Sequence, residues 1–240
     1  MKTSMLIAFA LLALCFTKAP PPAVRILFIG NSLTAVNGLP AMVEALASSA
    51  GHRVACETVA FPGVSLEDHW ARGDALRAIQ RGGWSFVVLQ QGPSALPKSR
   101  VLLREYVRRF DRAIGEAGAR TAVYMVWPAS ARRGDFDAVS ESYRLAAADV
   151  RGLLLPAGDA WRAAWTGDPR LGLYGPDGFH PSALGTYLTA IVIVDRLVGP
   201  LPNGVPTRLR STSGSFPSVD LDSDRAKLFE RAAGRVTTRE

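Results

Sequence analysis

The sequence is poor in cysteine and histidine, and both shortages restrict its chemistry. Its 240 residues include two cysteines, Cys15 and Cys56, and three histidines. These residues show no spacing typical of metal ligands, so we expect no metal and no other cofactor. If an export signal containing Cys15 is removed, no internal disulfide can form and the fold depends on its core. Cys56 is interpreted as a small buried hydrophobic residue of a strand.

The sequence also lacks the patterns of nucleotide and nucleic-acid binding. The Gly-Lys-Ser/Thr of a Walker A loop is absent. The formal net charge is +7, and without Lys2 and Lys18 of the N-terminal segment it is 26 − 21 = +5. The arginines follow helical patterns and are not interleaved with aromatic residues. This pattern indicates a solvated face, and no nucleic-acid partner is expected.

The apolar run near the N-terminus is too short to cross a membrane as a helix. Residues 5–16 are apolar, follow Lys2 and precede a proline-rich stretch, which is the pattern of an export signal. We therefore expect residues 1–19 to be a signal peptide, with a lipoprotein signal at Cys15 or an uncleaved anchor as alternatives. Residues 20–240 are then expected to form a single periplasmic or extracellular domain, which contacts a membrane only through this signal.

Short apolar runs alternate with helical patterns along the rest of the chain. Strands are predicted at 25–30, 53–60, 85–90, 120–127 and 152–158. Helices are predicted at 39–51, 65–82 with a break at Gly73, 99–118, 135–152, 182–199 and 223–236, and residues 201–219 are interpreted as a surface excursion. The alternation predicts an α/β fold, a three-layer α/β/α sandwich with a mostly parallel, flavodoxin-like five-stranded sheet. Ligands bind such sheets at the carboxyl ends of the strands.

Ser32 follows the first predicted strand, in the turn "GNSLT" that leads to a helix. A serine hydroxyl becomes a good nucleophile when a base takes its proton, and the oxyanion formed on attack needs N–H donors. The first turn of a helix has such donors unpaired. Ser32 is therefore a candidate nucleophile, although the turn alone fits better with a helix cap formed by Ser32 or Thr34.

The stretch "YGPDGFHPS", residues 174–182, places Asp177 three residues before His180. A histidine that acts as a general base needs a carboxylate to fix its tautomer and stabilise the imidazolium. One Asp-x-x-His loop can supply both groups. His52 and His69 have no comparable partner, so His180 is the candidate base, with a capping or surface histidine as the alternative.

Together these segments resemble the SGNH, or GDSL-type, hydrolase superfamily. "FIGNSLT" is similar to its first block, with Asn31 in place of the usual aspartate, and "DGFHPS" is similar to its last block. "VAFPGVSLEDHW" is similar to the second block. The resemblance covers residues 25–199. It implies a carboxylic ester hydrolase with a triad of Ser32, Asp177 and His180, and an oxyanion hole that includes the backbone N–H groups of Ser32 and Gly63.

The third block departs from the family pattern. Here "LQQGPSA" lacks the asparagine whose side chain completes the oxyanion hole. A glutamine amide offers the same donors on a longer arm, and the resemblance points to Gln90 or Gln91, with Gln90 preferred. If both only cap strand ends, the third donor is missing. Asn31 is expected to support the nucleophile turn beside the pocket, and Trp127 to line the pocket or, equally, to lie in the core.

The resemblance implies a serine esterase that works through an acyl-enzyme. Its expected substrates are small molecules or carbohydrates that carry short-chain acyl or acetyl esters, because the chain has little material for a lipase lid. One alternative is a secreted carbohydrate-binding protein that keeps the fold but hydrolyses nothing. Another is a flavodoxin-like nucleotide binder that holds phosphate at the Gly30 turn, which leaves the Asp-x-x-His loop unexplained.

Overall fold

The computed structural model describes residues 24–237. The predicted signal at 1–19, with its lipidation alternative at Cys15, lies outside these residues. Five parallel strands form the main sheet, in the order β2-β1-β3-β4-β5. They are β1 (Val24–Gly30), β2 (Val54–Ala60), β3 (Phe86–Leu89), β4 (Arg120–Tyr124) and β5 (Leu153–Leu155). This strand order confirms the predicted flavodoxin-like sheet.

Helices cover both faces of the sheet. They are α1 (Ser32–Ala35), α2 (Leu39–Ser49), α3 (Leu66–Arg72), α4 (Asp74–Gln80), α5 (Pro97–Glu116), α6 (Phe136–Asp149), α7 (Ala157–Gly167), α8 (Ala183–Leu197) and α9 (Ser223–Thr237). Contacts group α2 with α8, and α3, α4 and α6 with α5. The predicted three-layer sandwich is confirmed. No helix within residues 24–237 is long and apolar enough to cross a bilayer.

The central strands are apolar throughout because helices cover them on both faces. All four residues of β3 are buried, and so are the last five of β1. The edge strand β2 is only partly covered, and its Glu57 and Thr58 are exposed. Ile29 of β1 pairs with Leu89 of β3, so the two strands end side by side. The residues that follow them therefore meet at one edge of the sheet.

The structure departs from the sequence prediction around the last strand. The predicted strand 152–158 ends at Leu155, and α7 begins at Ala157 where no helix was predicted. Pro156 stands at the boundary, and a proline cannot extend a strand ladder. The buried face of α7 then repeats at helical spacing, at Ala157, Ala160, Trp161 and Ala164. The fourth strand also ends early, at Tyr124 instead of Trp127.

The predicted surface excursion at 201–219 contains part of a small antiparallel ribbon. Its strands are β6 (Arg208–Leu209) and β7 (Val219–Asp220). The predicted break in the helix at Gly73 separates α3 from α4, and this glycine has a left-handed φ of 76°. The helix predicted at 223–236 is α9, and its Phe229 is fully buried.

Candidate active site

Ser32 is the first residue of α1, at the carboxyl end of β1. Asn31 caps this helix, and its Oδ1 accepts a hydrogen bond of 3.0 Å from the Leu33 N–H. The cap leaves the Ser32 side chain half-buried at the edge of the sheet. The Ser32 N–H has no intrahelical acceptor at this position. The turn therefore presents both a hydroxyl and a backbone donor.

A chain of hydrogen bonds joins Ser32, His180 and Asp177. His180 Nε2 lies 2.9 Å from Ser32 Oγ, and His180 Nδ1 lies 2.5 Å from Asp177 Oδ2. A carboxylate can only accept, so Nδ1 carries the proton that it donates to Asp177. Nε2 of the neutral ring then accepts from the Ser32 hydroxyl. This tautomer is the one that a general base needs.

The environment of Asp177 keeps it ionised. The hydrogen bond with the His180 ring and the backbone N–H of Phe179 lower its pKa to about 2. Its Oδ1 accepts from the N–H groups of Phe179 and His180, at 3.0 and 2.9 Å. The carboxylate therefore shapes the turn with one oxygen and orients the imidazole with the other. Both side chains remain reachable from solvent, with 51% of Asp177 and 32% of His180 exposed.

Trp127 holds the loop that carries Asp177 and His180 through a hydrogen bond from the core. The Trp127 indole N–H donates to the Phe179 carbonyl at 3.0 Å. Trp127 is fully buried and stacks on Trp161, with ring centroids 3.5 Å apart. It therefore lies in the core, one of the two positions that the sequence left open, and does not line an open pocket.

Gly63 lies in an exposed turn after β2. Its φ of 72° is left-handed, a conformation that glycine adopts without steric cost. A Cβ added at Gly63 would meet no atom within 4 Å, so backbone conformation and not space requires the glycine. The next carbonyl, of Val64, accepts from Asn31 Nδ2 at 3.1 Å. Asn31, only 7% exposed, thus ties the Gly63 turn to the nucleophile turn, the supporting role expected of it.

Gln90 is fully buried, and both N–H groups and the oxygen of its side-chain amide are hydrogen-bonded within the protein. Its Oε1 accepts from the Asn31 N–H and the Thr34 hydroxyl, at 2.9 and 2.7 Å. Its Nε2 donates to Asn31 Oδ1 and the Gln91 carbonyl, at 3.0 and 2.6 Å. No N–H is left for an oxyanion in this arrangement. This conformation therefore does not favour Gln90, the preferred candidate, as the third oxyanion donor.

The side chain of Gln91 retains one N–H that is not hydrogen-bonded to the described part of the protein. Its Oε1 accepts from the Leu66 N–H at 3.2 Å, three residues after Gly63. Its Nε2 donates one hydrogen to Ser94 Oγ at 2.8 Å. Within residues 24–237 the second N–H has no acceptor, although Gln91 is only 5% exposed. Gln91, the other candidate for the third oxyanion donor, therefore has a side-chain N–H available for that role, whereas Gln90 has none.

His69 also holds the nucleophile turn, a role that sequence reasoning did not assign to it. It is fully buried on α3, and its Nε2 donates to the Gly30 carbonyl at 2.7 Å. Its Nδ1 has no partner among the described residues. Burial lowers the pKa of His69, so the ring is neutral. The signal in the sequence was its helical spacing from Leu66, which places both on the buried face.

No group of three or more metal-ligating side chains occurs in the described part of the chain. The described site holds a hydroxyl, an imidazole and a carboxylate in one hydrogen-bonded chain, with backbone N–H groups alongside. In chemical terms it can activate a hydroxyl and stabilise a nearby oxyanion.

Comparison with known proteins gives matches among solved structures alone: no protein-family model and no curated protein matches the chain. A protein from Slackia heliotrinireducens, assigned to the SGNH hydrolases, is 30% identical. The match covers 72% of this chain and 98% of that one, with a TM-score of 0.62. This chain belongs to the SGNH hydrolase superfamily.

Other solved structures extend the fold similarity of this SGNH hydrolase. A DUF4886 family protein from Bacteroides uniformis is 19% identical, covers 88% of this chain and 93% of its own, and has a TM-score of 0.69. A lipase/acylhydrolase from Enterococcus faecalis is 21% identical over 71% and 93% of the two chains, with a TM-score of 0.58. These two likenesses concern the fold. The relative that is 30% identical confirms the resemblance inferred from the sequence at the level of the family, and the family supports hydrolase activity.

Proposed function

We propose that the protein is a serine esterase that hydrolyses carboxylic esters through an acyl-enzyme. The observation that carries the proposal is the hydrogen-bond chain from Asp177 Oδ2 through His180 to Ser32 Oγ, with heavy-atom distances of 2.5 and 2.9 Å. A serine that only capped a helix would need neither the histidine nor the carboxylate. Membership of a hydrolase family supports the same reading.

In the first step Ser32 Oγ attacks the ester carbonyl while His180 Nε2 accepts the hydroxyl proton. The imidazolium is stabilised by Asp177, which stays ionised. The tetrahedral intermediate collapses when the carbonyl–alcohol bond breaks, and His180 gives its proton to the departing alcohol. A water, deprotonated by His180, then attacks the acyl-enzyme and releases the acid and free Ser32.

The oxyanion is proposed to be held by three N–H donors: the backbone groups of Ser32 and Gly63 and the side chain of Gln91. Gln91 takes the third place because it has an N–H without an acceptor and bonds to Leu66, near the Gly63 turn. In enzymes of this type one such donor contributes roughly 10²- to 10³-fold in rate. Gln90 is assigned to holding the turn.

Short acyl groups, acetyl above all, are the proposed substrate class, carried by small molecules or carbohydrates. Solved structures similar to this one include an acetyl xylan esterase, 14% identical with a TM-score of 0.60. That likeness concerns the fold alone, and acetylated xylo-oligosaccharides are chosen as the first carbohydrate substrates to test. The N-terminal pattern leads us to propose export to the periplasm or the cell exterior.

The test is hydrolysis of p-nitrophenyl acetate and butyrate by residues 20–240. Ser32→Ala and His180→Ala should each lose at least about 10³-fold in kcat/KM while remaining folded. Ser48→Ala and His52→Ala are matched controls, because neither side chain belongs to the site, and both should retain wild-type rates. Acetylated xylo-oligosaccharides then test the carbohydrate proposal by the release of acetate.

A different result would remove the esterase proposal. If the wild-type protein is inactive on both p-nitrophenyl esters and on acetylated sugars, the hydrogen-bond chain does not make an ester hydrolase. Binding of a carbohydrate without hydrolysis, measured by calorimetry, would then support the non-catalytic alternative.

A further inference from the structure

Asn37 adopts a strained backbone conformation close to the nucleophile. It lies in the 3-10 turn Val36–Gly38 between α1 and α2, five residues after Ser32, with φ 56° and ψ 17°. Asn37, Ser94 and Arg151 are the non-glycine residues with left-handed φ among residues 24–237. Outside glycine this conformation is uncommon, although asparagine adopts it more readily than most residues, and it persists where the surrounding structure supports it. The turn is therefore expected to be held by a contact of Asn37.

The side chain of Asn37 supplies that contact across the active site. Its Nδ2 donates to the Pro181 carbonyl and to Thr186 Oγ1, both at 2.9 Å. Pro181 is the residue bonded directly to His180, and Thr186 lies in the first turns of α8. The assignment of Nδ2 is unambiguous because a proline carbonyl can only accept. One amide thus joins the chain segment of Ser32 to the chain segment of His180.

The acceptors of Asn37 are themselves held in place. The Thr186 hydroxyl donates to the Ser182 carbonyl at 3.0 Å, so its oxygen is free to accept from Asn37. The following residue, Gly38, is packed so closely that an added Cβ would clash with the Ser215 carbonyl. The turn is therefore held on two sides, by the segment around Ser215 and, through the Asn37 amide, by α8.

We propose that Asn37 is a positioning residue that keeps Ser32 Oγ and His180 Nε2 at hydrogen-bonding distance. Ser32 and His180 come from segments 148 residues apart, and their contact is a single hydrogen bond of 2.9 Å. A misplacement of about 1 Å between reacting groups can cost on the order of 10²-fold in rate. The inference rests on the proposed esterase function and adds a residue whose two side-chain N–H groups are both bonded to the protein.

The decisive variant is Asn37→Gly, because glycine tolerates the left-handed backbone and removes only the bridging amide. We expect kcat for p-nitrophenyl acetate to fall about 10- to 100-fold. KM should change less than about twofold, because both side-chain N–H groups of Asn37 are bonded to the protein. Inactivation by diethyl p-nitrophenyl phosphate, which reports on Ser32 without turnover, should slow by a similar factor. Arg151→Gly is the matched control, since Arg151 is an exposed left-handed residue at the amino-terminal end of β5.

A second pair of variants keeps the test decisive if Asn37→Gly does not fold. Thr186→Val removes one acceptor of the Asn37 amide and should lower kcat several-fold. Thr186→Ser retains the hydroxyl, so its kcat should stay close to that of the wild type. If wild type is active and Asn37→Gly, or Thr186→Val in its place, keeps the wild-type kcat while losing thermal stability, Asn37 is merely structural and the inference is overturned. If the wild-type protein neither hydrolyses esters nor reacts with the phosphate ester, the proposed function fails and the inference fails with it.

Discussion

Two loops at the same edge of the sheet use their polar side chains in opposite ways. The loop of Asp177 and His180 presents them to solvent, and each reaches the next group in a chain that ends at Ser32. In the loop after β3, the side chain of Gln90 points into the protein. Its amide oxygen and nitrogen are hydrogen-bonded to Asn31 and Thr34 of the turn that carries Ser32 and to the backbone carbonyl of Gln91. The first loop supplies the proposed reacting groups, and the second holds the backbone of the turn that carries Ser32.

Position at the carboxyl edge of the sheet does not by itself make a polar residue part of the chemistry. What matters is which partners the polar atoms of the side chain have. The ring nitrogens of His180 are bonded to Ser32 Oγ and Asp177 Oδ2, and Gln91 keeps one N–H without an acceptor. The amide of Gln90 and the Nε2 of His69 are bonded to the turn that carries Ser32 and to the neighbouring backbone.

Asp177→Asn should have the largest effect. An amide at this position presents N–H to His180 Nδ1, which favours the tautomer whose Nε2–H points at Ser32, so the base is lost. We expect kcat to fall about 10³- to 10⁴-fold. Thermal stability should change little, because the new Oδ1 can still accept from the Phe179 and His180 N–H groups. Ester hydrolysis and thermal unfolding measured on one preparation would check both, and retained kcat would remove Asp177 from the mechanism.

Gln91→Leu should affect activity more than stability. It removes the proposed third oxyanion donor, and kcat should fall roughly 10²-fold. The lost hydrogen bonds to Leu66 and Ser94 should lower the free energy of unfolding by about 1–2 kcal/mol. Stopped-flow measurement of the acylation rate is the direct readout. An unchanged rate would show that Gln91, like Gln90, only supports the loop.

Gln90→Leu is the matched substitution at the neighbouring position and should act mainly on stability. It leaves the buried Asn31 N–H and the Thr34 hydroxyl without their acceptor, which should cost about 3 kcal/mol. For a chain of this size the loss corresponds to a fall in Tm of about 6–12 °C. Calorimetry of both glutamine variants tests the contrast. A Gln90→Leu protein with wild-type Tm and greatly reduced kcat would reverse the two assignments.

The smallest expected effect concerns His69 and pH. Burial lowers its pKa in the folded protein below the usual 6.5, so the unfolded chain binds a proton first as pH falls. Stability from His69 is therefore full above about pH 6.5 and is lost as pH falls below that value. His69→Gln has no such titration, so its Tm deficit against wild type should shrink between pH 7.5 and 5. A constant deficit would contradict a buried, neutral His69.

The sequence was sufficient to predict the fold class, and it made Ser32, Asp177 and His180 the candidates for the reacting groups. Strand–helix alternation predicts the parallel sheet because the pattern can be recognised from neighbouring residues. Asp177 and His180 could be paired for the same reason, since they are three residues apart in one loop. Ser32 could be grouped with them only through the resemblance to a family, since nothing local relates residues 148 positions apart. The structure then places Ser32 Oγ 2.9 Å from His180 Nε2.

The sequence could not predict which side chains retain free donors. Gln90 and Gln91 are adjacent and identical, and they differ only in the partners that Asn31, Thr34 and Leu66 bring from other segments. Trp127 stood undecided between pocket and core for the same reason, because its stacking partner Trp161 lies on a helix that was not predicted. The role of Asn37 depends on acceptors more than 140 residues away.

The most direct test of the central claim is to label the nucleophile. Residues 20–240 would be treated with diethyl p-nitrophenyl phosphate, and the modified peptide identified by mass spectrometry. The account predicts one diethylphosphoryl group per chain, on Ser32, with release of one p-nitrophenolate, and little or no labelling of His180→Ala. No labelling of the wild-type protein, or labelling that persists in Ser32→Ala, would contradict the assignment of Ser32 as the nucleophile.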